Sequence, residues 1–256
     1  MTGPRVVVTG AGRGIGAALA AAFIADGASV VVNDLDTQAA RETAARLGAV
    51  AVPGDAASRE GVAALIEAAR AELGGIDVFC ANAGVAPGGG ADAPEALWAA
   101  AWEVNVMAHV RAAELLLPEW LERGEGRFIA TVSAAGLLTM LGSAPYSVSK
   151  HAALAFAEWL SATYRHRGIR VHALCPQGVR TQILEESGEL GKALMAATAL
   201  EPEQVAADVL QAIAEERFMI LPHPEVARFY AARAGDPDHW LDAMNHLQRK
   251  FVEEQS

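Results

Sequence analysis

The stretch Val6–Phe23, VVVTGAGRGIGAALAAAF, joins an apolar β-branched run to an alanine-rich helical pattern through a glycine-rich turn. Gly10, Gly14 and Gly16 let the backbone turn tightly and approach a ligand closely, and the start of the following helix attracts negative charge. A strand, such a turn and a helix, in that order, are the context in which a pyrophosphate binds. The spacing Thr-Gly-x-x-x-Gly-x-Gly differs from the strict GxGxxG pattern, and a purely structural turn is the alternative interpretation.

The same alternation continues along the rest of the chain. Seven short apolar runs read RVVVTG, SVVVND, AVAVPG, IDVFCANAG, RFIATVS, IRVHALCP and FMILP, and helical patterns cover 14–26, 37–47, 59–73, 95–122 and 146–166. Nearly continuous apolar runs are typical of parallel strands that are covered on both faces. Their alternation with helices predicts an α/β fold, a doubly wound seven-stranded parallel sheet with helices on both faces.

No linker or repeat divides the chain, so we predict one domain over 1–256. Residues 178–200 lack a clear strand or long helix and are predicted to form a substrate loop, and 222–256 a helical tail. In the tail, Trp240, Leu241, Met244, Leu247 and Phe251 recur at three- and four-residue steps, which makes one apolar helical face. That face either packs on the core or forms a subunit interface or a wall of the substrate site.

The composition restricts the classes of partner. The 256 residues carry a formal net charge of −11, which disfavours nucleic acid and anionic membranes. No apolar run reaches the ~20 residues that span a bilayer, and the N-terminus lacks a signal-peptide layout, so we expect a cytoplasmic protein. The two cysteines, Cys80 and Cys175, lie in apolar runs and are predicted to be buried, which suits a reducing compartment. The seven histidines show no metal-site spacing, so no metal is expected.

Asp34 ends the second apolar run, close to the ~20 residues after the glycine turn at which an acid binds the adenosine ribose. A carboxylate there accepts hydrogen bonds from the ribose hydroxyls and repels a 2′-phosphate, so it favours NAD over NADP. Arg13 acts in the opposite direction, because a cation in the glycine turn could meet that phosphate. We give Asp34 the greater weight, since a buried contact between like charges is costly. A helix N-cap is the structural alternative for Asp34.

Tyr146 and Lys150 are four residues apart in a helical pattern, so they share one helix face. A free phenol has a pKa of about 10, and a nearby ammonium together with an oxidised nicotinamide would lower it. Such a phenol can exchange a proton with an alcohol or a ketone.

Ser133 follows a strand at the sheet edge where open α/β folds bind ligands, and its hydroxyl could hold the substrate oxygen. Capping of the next turn is the structural alternative for Ser133.

Taken together, these motifs resemble the short-chain dehydrogenase/reductase family. The resemblance runs from Arg5 to Leu221 and rests on TGAGRGIG, CANAG, the asparagine of WEVNVMAH, Ser133, YSVSK and CPQGVRT in that order. It implies a Rossmann fold in which Tyr146 is the general acid/base and Lys150 lowers its pKa and binds the nicotinamide ribose. It further implies that Ser133 orients the substrate oxygen and that Asn105 supports a water-linked proton relay. From its own sequence context, Asn105 is a hydrogen-bonded helix residue.

The resemblance also implies where the cofactor binds. Asp55 and the segment 82–84 would lie at the adenine, and Val179 and Thr181 would hold the nicotinamide carboxamide. The complete set predicted to contact NAD is Gly10, Arg13, Gly14, Ile15, Gly16, Asp34, Leu35, Asp55, Ala56, Asn82, Ala83, Gly84, Tyr146, Lys150, Pro176, Val179 and Thr181. One departure concerns Gln177, which follows Pro176 where the family usually has glycine. Either the glycine has moved to Gly178, or Gln177 reaches into the active site.

The predicted activity is NAD-dependent interconversion of a secondary alcohol and a ketone. Apolar residues in 134–142 and 178–200, among them Leu138, Ile183, Leu190 and Leu194, favour a lipophilic substrate, although core or lid packing also explains them. An NADPH-dependent ketone reductase and a non-catalytic dinucleotide-binding regulator are the alternatives. Family members are often dimers or tetramers built on their two longest helices. The patterns at 95–122 and 146–166 fit that role, so we expect a homodimer or homotetramer.

Overall fold

One parallel sheet of seven strands organises the part of the chain that the computed structural model describes, residues 3–185 and 188–254. Its order is β3-β2-β1-β4-β5-β6-β7. The strands are β1 (Arg5–Val8), β2 (Ser29–Val32), β3 (Val50–Ala51), β4 (Val78–Ala81), β5 (Gly126–Thr131), β6 (Ile169–Leu174) and β7 (Met219–Ile220). Each of the seven apolar runs supplies one strand, so the predicted doubly wound sheet is confirmed.

Helices cover both faces of this sheet. They are α1 (Gly14–Ala25), α2 (Thr37–Leu47), α3 (Arg59–Leu73), α4 (Glu95–Trp102), α5 (Ala108–Arg123), α6 (Ala144–Tyr164), α7 (Gln182–Glu185), α8 (Gly188–Met195), α9 (Pro202–Ala214), α10 (Pro224–Gly235) and α11 (Pro237–Glu254). One buried apolar cluster joins α3, α5 and α6 to the sheet, and a second joins α1, α2 and α9 to its other face. Trp120 and Phe128 in the first cluster and Leu19 and Phe23 in the second are almost fully buried.

Two helical predictions need correction in detail. The pattern 95–122 is not one α-helix, because a π-helical turn at Glu103–Met107 separates α4 from α5. Helix α6 begins at Ala144 rather than at Tyr146, since Pro145 fits the first turn, where its missing N–H costs no hydrogen bond. The substrate loop also contains two short helices, α7 and α8.

The strand order places a crevice at the centre of the sheet. Strand β1 pairs with β2 on one side and with β4 on the other, so the chain winds outward in opposite directions from β1 and β4. Ligands of open α/β sheets bind at such a reversal, outside the carboxyl ends of the strands.

The two cysteines are buried and free, as predicted. No helix of the described residues is long and apolar enough to cross a membrane.

Candidate active site

A cavity of about 1280 Å³ opens at the carboxyl edge of the sheet, at the reversal between β1 and β4. Every residue predicted to contact the cofactor lines it, and so does Ser133. Asn105 lies behind the wall, fully buried. Cavities for single small ligands occupy roughly 300–1,000 Å³, so this one has room for a dinucleotide beside a small substrate.

The glycine turn between β1 and α1 is shaped by close backbone contacts. Gly10 has a φ of 60°, and a Cβ added there would lie 2.8 Å from the Cα of Ala83. A Cβ on Gly16 would lie 2.2 Å from the carbonyl oxygen of Gly10. Side chains cap α2 and α3, whereas no side chain caps the N-terminus of α1, which lines the cavity. Backbone N–H groups at such a helix start favour an anion, so the turn fits a pyrophosphate.

Asp34 lies at the end of β2 with its carboxylate turned toward the glycine turn. Its Oδ2 accepts a hydrogen bond from the Gly12 amide at 2.9 Å, and its Oδ1 accepts one from the Asp36 amide at 3.0 Å. Asp36, and not Asp34, is the N-cap of α2, so the N-cap interpretation of Asp34 is wrong. Each carboxylate oxygen keeps acceptor capacity for another donor, such as a ribose hydroxyl.

Arg13, the cation expected to compete with Asp34, is already paired. Its guanidinium contacts Asp36 Oδ2 at 2.5 Å and donates to Gln182 Oε1 at 2.9 Å. Both partners of the Arg13–Asp36 pair are about half exposed, so the pair adds little to stability. The pair matters here for charge, because it places a second carboxylate beside Asp34 on the cavity wall.

Asn82 holds the ends of three strands together, a role that its sequence position did not indicate. Its Nδ2 donates to the carbonyl oxygens of Thr9 and Gly10 at 3.0 and 3.2 Å, and its Oδ1 accepts from Thr131 Oγ1 at 3.0 Å. The hydroxyl of Thr9 accepts from the amides of Asn82 and Ala83, each at 3.0 Å. Thr131 was missed, because an isolated threonine at a strand end carries no spacing signal, and Thr9 was noted only as the first residue of the glycine motif, with no role of its own.

Ser133 and Tyr146 meet at the inner end of the cavity. Ser133 lies two residues beyond β5 with a φ of 119°, a conformation that costs energy in a residue with a Cβ and is found at functional sites. Its Oγ accepts from the Ala135 amide at 3.1 Å, so the expected capping contact is also present. Burial raises the pKa of Tyr146, and the neighbouring Ser133 hydroxyl acts in the opposite direction. Burial is the larger of these two effects in the chain alone, and the lowering of this pKa by Lys150 together with a bound nicotinamide stays a prediction.

Lys150 lies one helical turn below Tyr146, with its ammonium 5.7 Å from the centre of the phenol ring. Its Nζ donates to the Thr131 carbonyl oxygen at 2.8 Å. Burial lowers the pKa of Lys150 to about 8, since an ammonium loses its hydration there. Lys150 is therefore held by the end of β5 and can exchange a proton near neutral pH.

Asn105 is held in the π-helical turn by three hydrogen bonds. Its Oδ1 accepts from the Val85 amide at 3.0 Å, and its Nδ2 donates to the Val85 carbonyl oxygen at 2.9 Å and to Ser149 Oγ at 3.0 Å. A Cβ on Gly84 would lie 3.2 Å from Asn105 Oδ1 and 3.5 Å from Lys150 Nζ, so both groups converge on that glycine. The asparagine fixes the loop that follows β4, and π-helical turns recur at functional sites.

The displaced glycine after Pro176 has a packing reason. A Cβ on Gly178 would lie 2.6 Å from the carbonyl oxygen of Met195, where the end of α8 approaches the loop. Gln177 lies on the cavity wall, and its Oε1 is buried. The position of Gly178 therefore has a structural reason, while the reach of Gln177 into the active site stays a prediction.

Apolar side chains line the outer part of the cavity. They include Met140, Leu141, Ile183, Leu184 and Met195. The side chains of Leu190 and Leu194 lie outside the described residues. The tail contributes Gln248 and Phe251 from α11, which favours the wall interpretation of its apolar face at that end.

Among the residues described, no cluster of three or more histidine, cysteine, aspartate or glutamate side chains is placed to hold a metal.

Comparison with known proteins gives consistent matches. The short chain dehydrogenase family model matches residues 4–190. A 1-deoxy-11-beta-hydroxypentalenate dehydrogenase from Streptomyces exfoliatus is 38% identical over 94% of this chain and 88% of its own. Human epidermal retinol dehydrogenase 2 is 30% identical over 90% of this chain and 76% of its own. A crystal structure of a short chain dehydrogenase/reductase from Burkholderia phymatum in complex with NAD has a TM-score of 0.83, with 31% identity over 92% of this chain and 94% of that one.

Proposed function

This chain belongs to the short-chain dehydrogenase family of oxidoreductases, which act on hydroxyl and ketone groups, and from that premise we propose that it is an NAD-dependent dehydrogenase of a lipophilic secondary alcohol. The observation that carries the proposal is the meeting of Ser133, Tyr146 and Lys150 at the inner end of a cavity whose other end has the glycine turn and Asp34. A non-catalytic regulator would have no use for a buried phenol beside an ammonium.

The protein's part in the reaction is to position the alcohol and to move one proton. The Ser133 hydroxyl orients the substrate oxygen, and the Tyr146 phenolate accepts the proton of the alcohol O–H. The bound nicotinamide supplies the hydride chemistry. With an oxidised nicotinamide bound, its ring charge would add to that of the Lys150 ammonium in stabilising the phenolate.

Lys150 has two tasks in this proposal. Its ammonium, anchored on Thr131, binds the nicotinamide ribose and keeps positive charge near the phenol. With a pKa lowered to about 8, it can also pass a proton outward from Tyr146. Asn105 lies next to Lys150 at Gly84, where it positions the loop and supports the water through which that proton leaves.

Two carboxylates support the preference for NAD. Asp34 keeps acceptor capacity for ribose hydroxyls, while Asp36 neutralises the arginine that a 2′-phosphate would need. A phosphate there would face like charges at short range, which costs several kcal/mol at an interface. Leu35, 77% exposed and on the cavity wall, offers an apolar surface for the adenine.

We further propose a homodimer or homotetramer in the cytoplasm. Trp102, Val148 and Trp159 are 45%, 50% and 54% exposed at the end of α4 and along α6. Large apolar side chains this exposed are typical of surfaces that a partner covers. Sedimentation at micromolar concentration is expected to give a species of two or four chains, and a clean monomer contradicts this part of the proposal.

The catalytic proposal is tested by substitution of the phenol. Purified protein is assayed for NADH formation from a panel of lipophilic secondary alcohols with NAD. Tyr146→Phe is expected to lower kcat by at least 10²-fold, on the scale of general acid/base catalysis. Tyr164→Phe, at the far end of the same helix, is the matched control and is expected to keep wild-type kcat. Full turnover in Tyr146→Phe would contradict the assignment.

A further inference from the structure

A guanidinium from the C-terminal helices reaches the segment that follows Ser133. Arg233 lies in α10, and its Nη1 donates to the carbonyl oxygen of Leu137, 96 positions earlier in the chain. The same Nη1 lies 3.1 Å from His151 Nε2 in α6. Leu137 is fully buried and Arg233 is partly buried. This one side chain therefore connects α10 both to the loop after β5 and to the helix that carries Tyr146.

The His151 ring accepts the second of these contacts. Its Nδ1 lies 2.9 Å from the Ser147 carbonyl oxygen, and because a carbonyl oxygen only accepts, Nδ1 carries the ring proton. Nε2 is then free to accept from Arg233, so the ring is neutral and both of its nitrogens are paired. His151 directly follows Lys150 in the sequence. Arg233 is thus held at the helical turn that carries the proposed proton-transfer lysine.

A serine of the same helix holds the other end of this loop segment. The Ser147 hydroxyl accepts from the Met140 amide at 3.0 Å and donates to the Met140 carbonyl oxygen at 3.2 Å. Ser147 is 4% exposed, so water does not compete strongly for these bonds. Arg233 and Ser147 therefore fix Leu137 and Met140, the two ends of segment 137–140, against α6.

Segment 137–140 connects the proposed catalytic serine to the wall of the cavity. A Cβ on Gly136 would lie 2.6 Å from the Lys150 carbonyl oxygen, so the chain between Ser133 and Leu137 rests on the backbone of Lys150. Ser133 has a φ of 119°, and such a conformation persists only where surrounding contacts enforce it. Met140 lines the cavity at the far end of the segment. A shift of Leu137 would therefore affect both the serine and the wall.

We infer that Arg233 is a positioning residue for the proposed dehydrogenation, which acts by holding Leu137 and His151 in place. Through them it keeps Ser133 and Met140 in the arrangement that receives the alcohol. The inference rests on the proposed function. The orientation of reacting groups controls the rate so strongly that a remote mutation that moves them by about 1 Å can cost about 10²-fold. The C-terminal helices thereby support the active site through α10 as well as through the α11 residues on the cavity wall.

The kinetic test uses Arg233→Met, which keeps an unbranched side chain and removes the guanidinium. We expect kcat/KM for a secondary alcohol that the wild type oxidises to fall at least about tenfold. NADH binding should be unchanged, because the lost contacts do not involve the glycine turn or Asp34. Arg233→Lys keeps a donor and a positive charge and should restore part of the loss. Arg228→Met, an exposed arginine of α10 over the Phe229 ring, is the matched control and should keep wild-type values.

Hydrogen exchange followed by mass spectrometry tests the contacts without any turnover. Arg233→Met is expected to exchange the amides of segment 137–140 at least about tenfold faster than the wild type, with the protection of β5 unchanged. His151→Leu removes the acceptor of one Arg233 bond. The loss of kcat/KM in the double variant should therefore be smaller than the two single losses combined, because both substitutions break one shared contact. Should Arg233→Met fail to fold, Arg233→Lys and His151→Leu carry the same comparisons.

Three outcomes would overturn the inference while the proposed function stands. The first is an unchanged kcat/KM in Arg233→Met. The second is a loss of kcat/KM explained by weaker NADH binding, which would assign Arg233 to the cofactor site. The third is a lower urea midpoint with wild-type kcat/KM and wild-type exchange in segment 137–140, which would give Arg233 a role in stability alone. Failure of the proposed function is separate, because it appears as full turnover in Tyr146→Phe, and the exchange comparison still decides whether Arg233 holds the segment.

Discussion

Replacing Asn105 with alanine would remove a fully buried side chain that makes three hydrogen bonds. Two of these bonds hold the backbone of Val85, and the third holds Ser149. A net contribution of about 1 kcal/mol for each bond gives a loss of about 3 kcal/mol. Val85 lies at a partly exposed position, so water can recover part of its lost bonds. We therefore expect the free energy of unfolding to fall by about 2–3 kcal/mol.

Urea unfolding followed by circular dichroism measures this loss, provided that the slope of the transition matches the wild-type slope. Ser149→Ala is the matched control, because it removes one of the three bonds of Asn105 and places a better helix former in α6. We expect it to cost at most about 1 kcal/mol. The same Asn105→Ala protein should also lose activity, since the loop beside Lys150 is no longer held. If Asn105→Ala lowers the free energy of unfolding by no more than Ser149→Ala does, the two hydrogen bonds between Asn105 and Val85 do not stabilise the protein as we expect.

Three other perturbations test the glycine turn, the buried histidine of α5 and the carboxylate at the end of β2. Gly10→Ala should abolish measurable NADH binding, because its Cβ would lie 2.8 Å from the backbone of Ala83 at a position with a positive φ. Gly235→Ala is the control, since the space around Gly235 is open. We expect it to bind NADH normally and to be at least as stable as the wild type. Burial lowers the pKa of His109 to about 3 from 6.5, so the unfolded chain binds the proton more strongly and the free energy of unfolding should fall as pH drops from 6.5 to 3. His109→Leu should reduce that slope by up to about 1.4 kcal/mol per pH unit, and an unchanged slope in a pH series of urea titrations would contradict the burial argument. Asp34→Ala should narrow the NADH-over-NADPH binding preference roughly tenfold, as measured by nicotinamide fluorescence, and an unaltered preference would remove Asp34 from cofactor selection.

The strand positions were predictable because parallel strands in this fold are apolar on both faces. Runs such as Val6–Val8 and Val30–Val32 have no polar alternation and few other structural solutions. The glycine turn was predictable for a related reason, since only glycine tolerates the contact of Gly16 with the Gly10 carbonyl oxygen. In both cases the local sequence alone carries the physical constraint.

Features that depend on contacts between distant parts of the chain could not be predicted from the sequence. The π-helical turn at Glu103–Met107 is associated with the pairing of Asn105 and Val85, which are 20 positions apart. The pairing of Arg13 with Asp36 likewise requires the turn and the start of α2 to meet in space. The burial that raises the pKa of Tyr146 likewise depends on the whole fold, so it could not be predicted from the helix alone.

We propose above all that the cavity binds NAD with its adenosine ribose at Asp34. Titration of the purified protein with NADH and NADPH, followed by nicotinamide fluorescence, tests it most directly. We expect NADH to bind at least about tenfold more tightly than NADPH, because Asp34 can accept hydrogen bonds from ribose hydroxyls and Asp36 is paired with Arg13. Equal affinities, or tighter binding of NADPH, would contradict the proposed preference for NAD and favour an NADPH-dependent ketone reductase.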